Sequence, residues 1–184
     1  MDADRLATLW EERAITKVII RFGRSLDTGD RATYLSCFPD EVNLNFARLT
    51  GHAEVRIGAE LLKRWADLFL SPTRRHHSYS NFDITLAGDR AHAKVYFTAR
   101  HWKATDYGDS SNTQYGWYDF WLSKVGEEWK IHRFKHDFQW VEGNGGLFDL
   151  AEPDLVAVMA QVFTDENKRK AAAAVEAWGD PEPA

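Results

Sequence analysis

The segment from Ala91 to His101 alternates strictly, and this alternation limits what the chain can fold into. Every second residue from Ala91 to Ala99 is small or apolar, while the residues between them are mostly polar. A period of two residues indicates a half-buried β-strand. The apolar row ends at His101, so the pattern predicts an imidazole on the interior side of a sheet. A lone buried histidine is usually structural, so other polar residues facing the same interior must decide its role.

The other segments place helices before strands along the chain. Residues at helical spacing predict helices over 6–26, 31–37 and 60–70, with stops near Gly29 and at Pro72 and with Asp30 as an N-cap. Alternation and turn residues predict strands over 42–46, 77–86, 91–101, 114–124 and 128–140, with hairpins at Gly88 and Gly126 and a polar turn region over 107–112. One or two further helices are predicted over 154–177. The order favours an α+β fold with helices on one face of a curved sheet.

Composition excludes several classes of function. The net charge of −5 comes with interspersed signs and no long basic block, so we expect neither nucleic acid nor an anionic membrane as a partner. The single cysteine, Cys37, permits no internal disulfide. No apolar run has the length of a signal peptide or a membrane span, so we expect a soluble cytoplasmic protein. The 184 residues fit one domain, 1–184, and an aromatic content of 14% suits an apolar cavity for a small apolar or aromatic substrate.

A few polar residues are candidates for chemistry. Asp27 falls in the last turn of the first helix, where a carboxylate is unfavourable unless it is paired. His76 and His77 precede a strand, and since neighbouring strand residues face opposite sides, only one of them can point inward. The local sequence leaves that choice open. Tyr118 lies on an inward row of the third long strand.

No metal site is predicted. His132 and His136 are four residues apart on a strand, which would separate them by about 13 Å along one face, too far for one zinc ion. The chain has no Cys-x-x-Cys or His-Glu-x-x-His pattern, no phosphate-binding glycine loop and no Gly-x-Ser-x-Gly elbow.

Several motifs together resemble the SnoaL-like branch of the nuclear transport factor 2-like superfamily. They are Arg24 to Asp30 (RSLDTGD), the histidine pair before a strand, Gly88 to Ala91 (GDRA) and Gly126 to Ile131 (GEEWKI). The resemblance implies a cone-shaped curved antiparallel sheet wrapped around N-terminal helices. It covers a core of about 10–142, with 143–184 as a C-terminal helical extension. It also implies a homo-oligomer, either a trimer or a dimer.

Within that branch the spacing looks most like scytalone dehydratase. The resemblance places Asp27 on the catalytic aspartate of that family, His76 on the histidine paired with it, and His101 on the second active-site histidine. The family motif Lys-Pro-Asp-x-x-Trp reappears as Lys135 to Trp140 (KHDFQW). The chain departs from the family in three places, which argues against the same substrate. Tyrosines of the family are replaced by Leu26 and Phe46, and an asparagine is replaced by Tyr118.

An Asp–His pair in an apolar cavity is a competent general base. The sequence therefore predicts a lyase, without a cofactor, that eliminates water or a small aldehyde such as formaldehyde from a small aromatic or polycyclic alcohol. The predicted catalytic residues are Asp27, His76, His101 and Tyr118. The residues predicted to contact substrate are Phe22, Leu26, Phe46, Phe97 and Trp140. A double-bond isomerase with the same base and a non-catalytic binding module are the alternatives.

Overall fold

The structure, a computed structural model, describes residues 3–71 and 73–179. Its six helices are α1 (Ala3–Thr28), α2 (Arg31–Ser36), α3 (Ala47–Thr50), α4 (Ala59–Leu70), α5 (Pro153–Val162) and α6 (Asp165–Trp178). Its six strands are β1 (Glu41–Asn45), β2 (Val55–Gly58), β3 (Arg74–Ala87), β4 (Arg90–Thr105), β5 (Gly108–Val125) and β6 (Glu128–Gly143).

The strands form one curved, open sheet in the order β2-β1-β6-β5-β4-β3. The four long strands follow one another as an antiparallel meander. β1 is antiparallel to β2 but runs parallel to β6, pairing Asn43 with Arg133. Helix α1 packs against β3 and β6. The predicted α+β class with a curved sheet and C-terminal helices is confirmed, and the parallel β1–β6 pair is a feature that the sequence did not predict.

The apolar face of α1 forms much of the core. Its buried stripe includes Ile15, Ile19 and Phe22, at the spacing read from the sequence. The helix ends before Gly29, whose φ of +71° is readily adopted by glycine. Asp30 then caps α2 by accepting a hydrogen bond from the backbone N–H of Thr33. These local signals fix the direction in which the chain leaves the end of α1.

Several element boundaries differ from the prediction. The short elements α3 and β2 were not predicted; β2 is only four residues long and depends on pairing with β1. The predicted polar turn over 107–112 is wrong, because β5 already begins at Gly108 and its polar residues pair with the end of β4. Gly, Asp and Asn have low strand propensity, but pairing with β4 in the hairpin keeps these residues extended. β3 begins at Arg74, three residues earlier than predicted. Pro72, the predicted stop of α4, lies outside the described residues.

Two glycines allow close approaches near the centre of the molecule. A Cβ on Gly116 would lie 2.3 Å from the carbonyl oxygen of Asp137, at a register shift between β5 and β6. A Cβ on Gly23 would lie 2.4 Å from the ring of Tyr79. Helix α1 and strand β3 therefore meet more closely than any larger residue at Gly23 would permit.

Residues 147–178 pack on both the helical and the sheet side of the core. Leu147 and Phe148 are buried, and α5 packs against α4. Helix α6 packs on β2, where the backbone carbonyl of Ala171 accepts a hydrogen bond of 3.1 Å from the Asn43 side chain. The Trp178 ring lies 4.3 Å from that of His132. The segment after β6 is thus part of the folded core.

Candidate active site

The end of α1 and the beginning of β3 bring a carboxylate and an imidazole into contact. The Nδ1 atom of His77 lies 2.6 Å from Oδ1 of Asp27, and the backbone N–H of His77 donates to Oδ2 at 2.9 Å. Both carboxylate oxygens of Asp27 are therefore fixed by one residue. The His77 side chain is only 5% exposed and that of Asp27 is 18% exposed.

The predicted pairing of Asp27 with His76 is wrong. His76 lies on the exposed side of β3, where its Nε2 is 3.2 Å from the Ser78 hydroxyl. The physical reason is a bulge further along the strand: Asn81 has a φ of +51°, and the register with β4 shifts between Ser80 and Asp83. The inward residues of β3 are odd-numbered before the bulge, from Arg75 to Tyr79, and even-numbered after it, from Phe82 to Leu86. His77 therefore points inward.

Arg75 fastens the neighbouring helix ends. Its Nε donates to the carbonyl of Leu26 at 2.5 Å, and its Nη1 donates to the carbonyl of Leu70 at 3.2 Å. Burial lowers the pKa of Arg75, while the carboxylates of Asp67 and Asp27 favour its charged form. An arginine that bonds the last carbonyls of α1 and α4 offsets their negative dipole ends. It thereby supports Asp27 at an otherwise unfavourable position.

A largely apolar cavity lies against the Asp27–His77 pair. It encloses about 520 Å³ including its open mouth. Phe22, Leu26, Phe46 and Tyr118 line it, as the sequence analysis expected. The other lining residues are Tyr34, Leu49, Leu62, Trp65, Ala66, Phe69, Leu70, His77, Ala99, Gln114, Phe134 and His136.

Two predicted substrate contacts lie elsewhere. Phe97 is buried behind the lining, with its ring 4.8 Å from that of Tyr118. Trp140 is 55% exposed and stacks on Tyr115 at 4.9 Å, so its predicted place at the cavity is wrong. The register shift between Tyr115 and Gly116 changes the strand face just before Trp140. The position that the family motif predicts for Trp140 is therefore not the position found after this register shift.

His101 faces the interior, as the alternation predicts, but lies behind His77 rather than in the cavity lining. Its ring meets that of His77 edge-on at 5.9 Å and that of Phe148 at 5.0 Å. Neither ring nitrogen has a hydrogen-bond partner of normal geometry in the described chain. Burial, followed by the charge of protonated His77, lowers the pKa of His101 to about 4. His101 is therefore neutral at pH 7.

Two polar residues of the cavity wall, Gln114 and His136, were not predicted from the sequence. Gln114 belongs to the same inward row of β5 as Tyr118, so the period of two residues contained a signal for it. His136 stacks on Phe46 at 4.8 Å. Its inward orientation was not predicted, because a bulge shifts the register of β6 by one residue at His132. His132 therefore faces Trp178, and the expectation that His132 and His136 share one face is wrong.

Burial controls the protonation of these wall residues. It lowers the pKa of His136 to about 3, and a proton on His77 or His101 would act in the same direction. Burial also raises the pKa of the Tyr118 phenol. Both side chains are thus neutral hydrogen-bonding groups at pH 7. Within residues 3–71 and 73–179, no three His, Cys, Asp or Glu side chains gather as metal ligands would.

The fold and this cavity define a cone-like α+β protein with a polar pair at the wall of an apolar pocket. Residues 7–135 match the SnoaL-like domain, and the chain belongs to that family within the nuclear transport factor 2-like superfamily. A comparison with curated protein sequences gave no match. In the part of the chain that the structure describes, no helix has the length and apolar character needed to span a membrane.

Solved structures share the fold at low sequence identity. The Kfla4162 protein from Kribbella flavida is 18% identical with a TM-score of 0.67, over 71% of this chain and 91% of that one. A candidate scytalone dehydratase from Novosphingobium aromaticivorans is 20% identical with a TM-score of 0.62, over 74% and 89%. A type 2 hexachlorocyclohexane dehydrochlorinase, LinA, is 17% identical with a TM-score of 0.63, over 80% and 95%.

Proposed function

We propose that this protein is a lyase in which His77, oriented by Asp27, removes a proton from an apolar substrate and so expels a small leaving group. The observation that carries the proposal is the Asp27–His77 contact of 2.6 Å at the wall of the cavity. His77 takes the role that the sequence analysis gave to His76. The general base therefore comes from the neighbouring residue on the same strand.

The hydrogen bonds of Asp27 set the tautomer of His77. Because Asp27 is an ionised acceptor at Oδ1, Nδ1 of His77 carries the proton that joins them, which leaves Nε2 with a free lone pair. When Nε2 takes a proton, the carboxylate stabilises the resulting imidazolium. The backbone N–H at Oδ2 prevents Asp27 from turning away. The pair is thus preorganised as a base.

Elimination of water needs no further reagent. Nε2 of His77 takes the proton from a carbon, the C–H electron pair becomes the new carbon–carbon double bond, and the bond to the leaving oxygen breaks. The hydroxide that leaves takes a proton back, and the imidazolium of His77 holds one. Tyr118, a neutral phenol in the lining, would donate a hydrogen bond to the oxygen as it departs. The same base acting on a hydroxyl would release an aldehyde by carbon–carbon cleavage.

The names of two structural relatives agree with this class of chemistry. One is a candidate dehydratase and the other a dehydrochlorinase, and both names describe an elimination. Their identities of 20% and 17% carry the fold alone. The proposal therefore depends on the geometry of Asp27 and His77, and the relatives guide the choice of substrates for a screen.

The experiment is a mass-spectrometric screen of aromatic, polyketide-like and steroid alcohols and of halogenated alicyclic compounds. Each is scored for loss of water, hydrogen halide or formaldehyde. With an active substrate in hand, His77→Gln should lower kcat at least about 100-fold, the size expected for loss of a general base. His76→Gln, a change at the exposed neighbour, is the matched control and should leave kcat unchanged. Full activity of His77→Gln would refute the assignment.

A further inference from the structure

Three polar side chains line the cavity on β5 and β6, away from the Asp27–His77 pair on β3. They are Gln114, Tyr118 and His136, and together we call them the polar arc. Each is at most 5% exposed. Gln114 and His77 are both register partners of Ala99, which places only a methyl group between them on the sheet. The polar arc therefore begins two strands away from His77, on the same face of the sheet.

The polar arc retains free capacity for hydrogen bonds. Nδ1 of His136 is buried and has no partner among the described residues. A neutral imidazole offers one donor and one acceptor, and a phenol and an amide can do both. Since burial keeps His136 and Tyr118 uncharged at pH 7, the polar arc presents dipoles rather than charges. Buried polar groups without partners lower stability, so such a cluster is typical of a binding site.

The lining opposes a charged ligand. Among the described residues that form the cavity wall, none is Lys, Arg, Asp or Glu. Arg75, a cation close to the pair, already bonds the carbonyls of Leu26 and Leu70. A carboxylate or phosphate inside the cavity would lose its hydration without gaining a counter-charge. The aromatic rings Phe22, Phe46 and Phe134 instead offer apolar surface.

We propose that the polar arc recognises a neutral hydroxyl or carbonyl oxygen on an apolar ring compound, with His136 as the residue that determines this specificity. The inference rests on the proposed function in taking the cavity as the substrate site. It adds a second point of attachment. The reacting carbon lies at His77 while the ring oxygen bonds to the polar arc on β5 and β6, which fixes the orientation of the substrate.

The test uses three probes of similar shape at pH 7: 2-naphthol, 2-methylnaphthalene and 2-naphthoate. Equilibrium dialysis measures their dissociation constants. The wild type should bind 2-naphthol about tenfold more tightly than 2-methylnaphthalene, as expected for one neutral hydrogen bond in a dry site. It should bind 2-naphthoate at least tenfold more weakly than 2-naphthol. Equal binding of the first two probes, or no binding of either, would overturn the proposal.

Two variants of similar size test the residue itself. His136→Met removes the polar atoms and should abolish the preference for 2-naphthol, whereas His136→Gln places an amide there and should restore most of it. A preference that survives in His136→Met contradicts the assignment. If His136→Met does not fold, Gln114→Met serves as the second variant and should reduce the preference at least threefold. An undiminished preference in Gln114→Met would then count against the polar arc.

The same titration in His77→Gln separates this inference from the proposed function. His77 is not part of the polar arc, so the preference for 2-naphthol should persist in that variant. If His77→Gln keeps full catalytic activity while the preference depends on His136, the proposed base is wrong and the polar arc stands. If catalysis depends on His77 but no preference depends on His136 or Gln114, the polar arc is wrong and the base stands.

Discussion

Acidification from pH 7 to pH 5 should destabilise the folded protein, and His136 should account for about 2 kcal/mol of the loss. In the folded state burial lowers the pKa of this imidazole to about 3. In the unfolded chain it titrates near its ordinary value of about 6.5. At any pH between these two pKa values, His136 is mostly protonated in the unfolded state and mostly neutral in the folded state. Stability is therefore lost as the pH falls through this window.

The magnitude follows from the width of the window that is crossed. One pH unit corresponds to about 1.36 kcal/mol for one proton. pH 5 lies about 1.5 pH units below the pKa of His136 in the unfolded chain. Protonation therefore stabilises the unfolded state by about 2 kcal/mol, while His136 in the folded state is still neutral. His101, with a pKa of about 4, should add a similar loss over the same interval. Both losses have the same sign, so the two should combine.

The assay is urea unfolding at pH 5, 6 and 7, followed by tryptophan fluorescence. The difference in unfolding free energy between pH 7 and pH 5 should be about 2 kcal/mol smaller in His136→Gln than in the wild type. His76→Gln, which removes a histidine from the exposed side of β3, is the matched control. Parallel curves for wild type and His136→Gln would refute the reasoning that burial holds His136 neutral.

Three further substitutions test other contacts. Asp27→Asn keeps the shape but removes the charge that orients His77, so kcat on an identified substrate should fall at least about 100-fold; unchanged turnover would contradict the pair. Gly116→Ala places a Cβ 2.3 Å from the carbonyl oxygen of Asp137 and should cost more than about 2 kcal/mol of unfolding free energy, whereas Gly145→Ala, with nothing near it, should cost far less. Phe148→Ala should lower the urea midpoint by an amount equivalent to about 3 kcal/mol, and an unchanged midpoint would show that Phe148 does not pack as described.

The sequence predicted most of the helices and strands because their hydrophobic period is long and regular. The stripe of α1, the alternation of β4 and the glycine hairpins are each local signals, and the structure agrees with them. Elements that depend on a partner were missed. β2 is four residues long, and the start of β5 is rich in poor strand formers, so both require pairing with another strand.

The sequence predicted an Asp–His pair beside an apolar cavity, but it did not identify every residue of the candidate site correctly. Alternation shows which strand residues share a face of the sheet. A bulge reverses the alternation, and its sequence signal is weaker than the glycine signal of a hairpin. The bulge at Asn81 turned the inward position from His76 to His77. The bulge at His132 placed His136 inside and His132 outside. Alternation left the choice between His76 and His77 open, and the resemblance that selected His76 was applied without gaps, so it took no account of such irregularities.

The parallel pairing of β1 with β6 has a consequence for how the molecule folds. Asn43 and Arg133, which are register partners, are separated by most of the core sequence, so closing that contact is entropically slow. During synthesis, α1, α2 and β1 leave the ribosome long before the strand that must join them. Phe46, just after β1, and His136, on β6, come together only when this pair forms. The cavity wall is therefore complete only once this long-range pair of strands has formed.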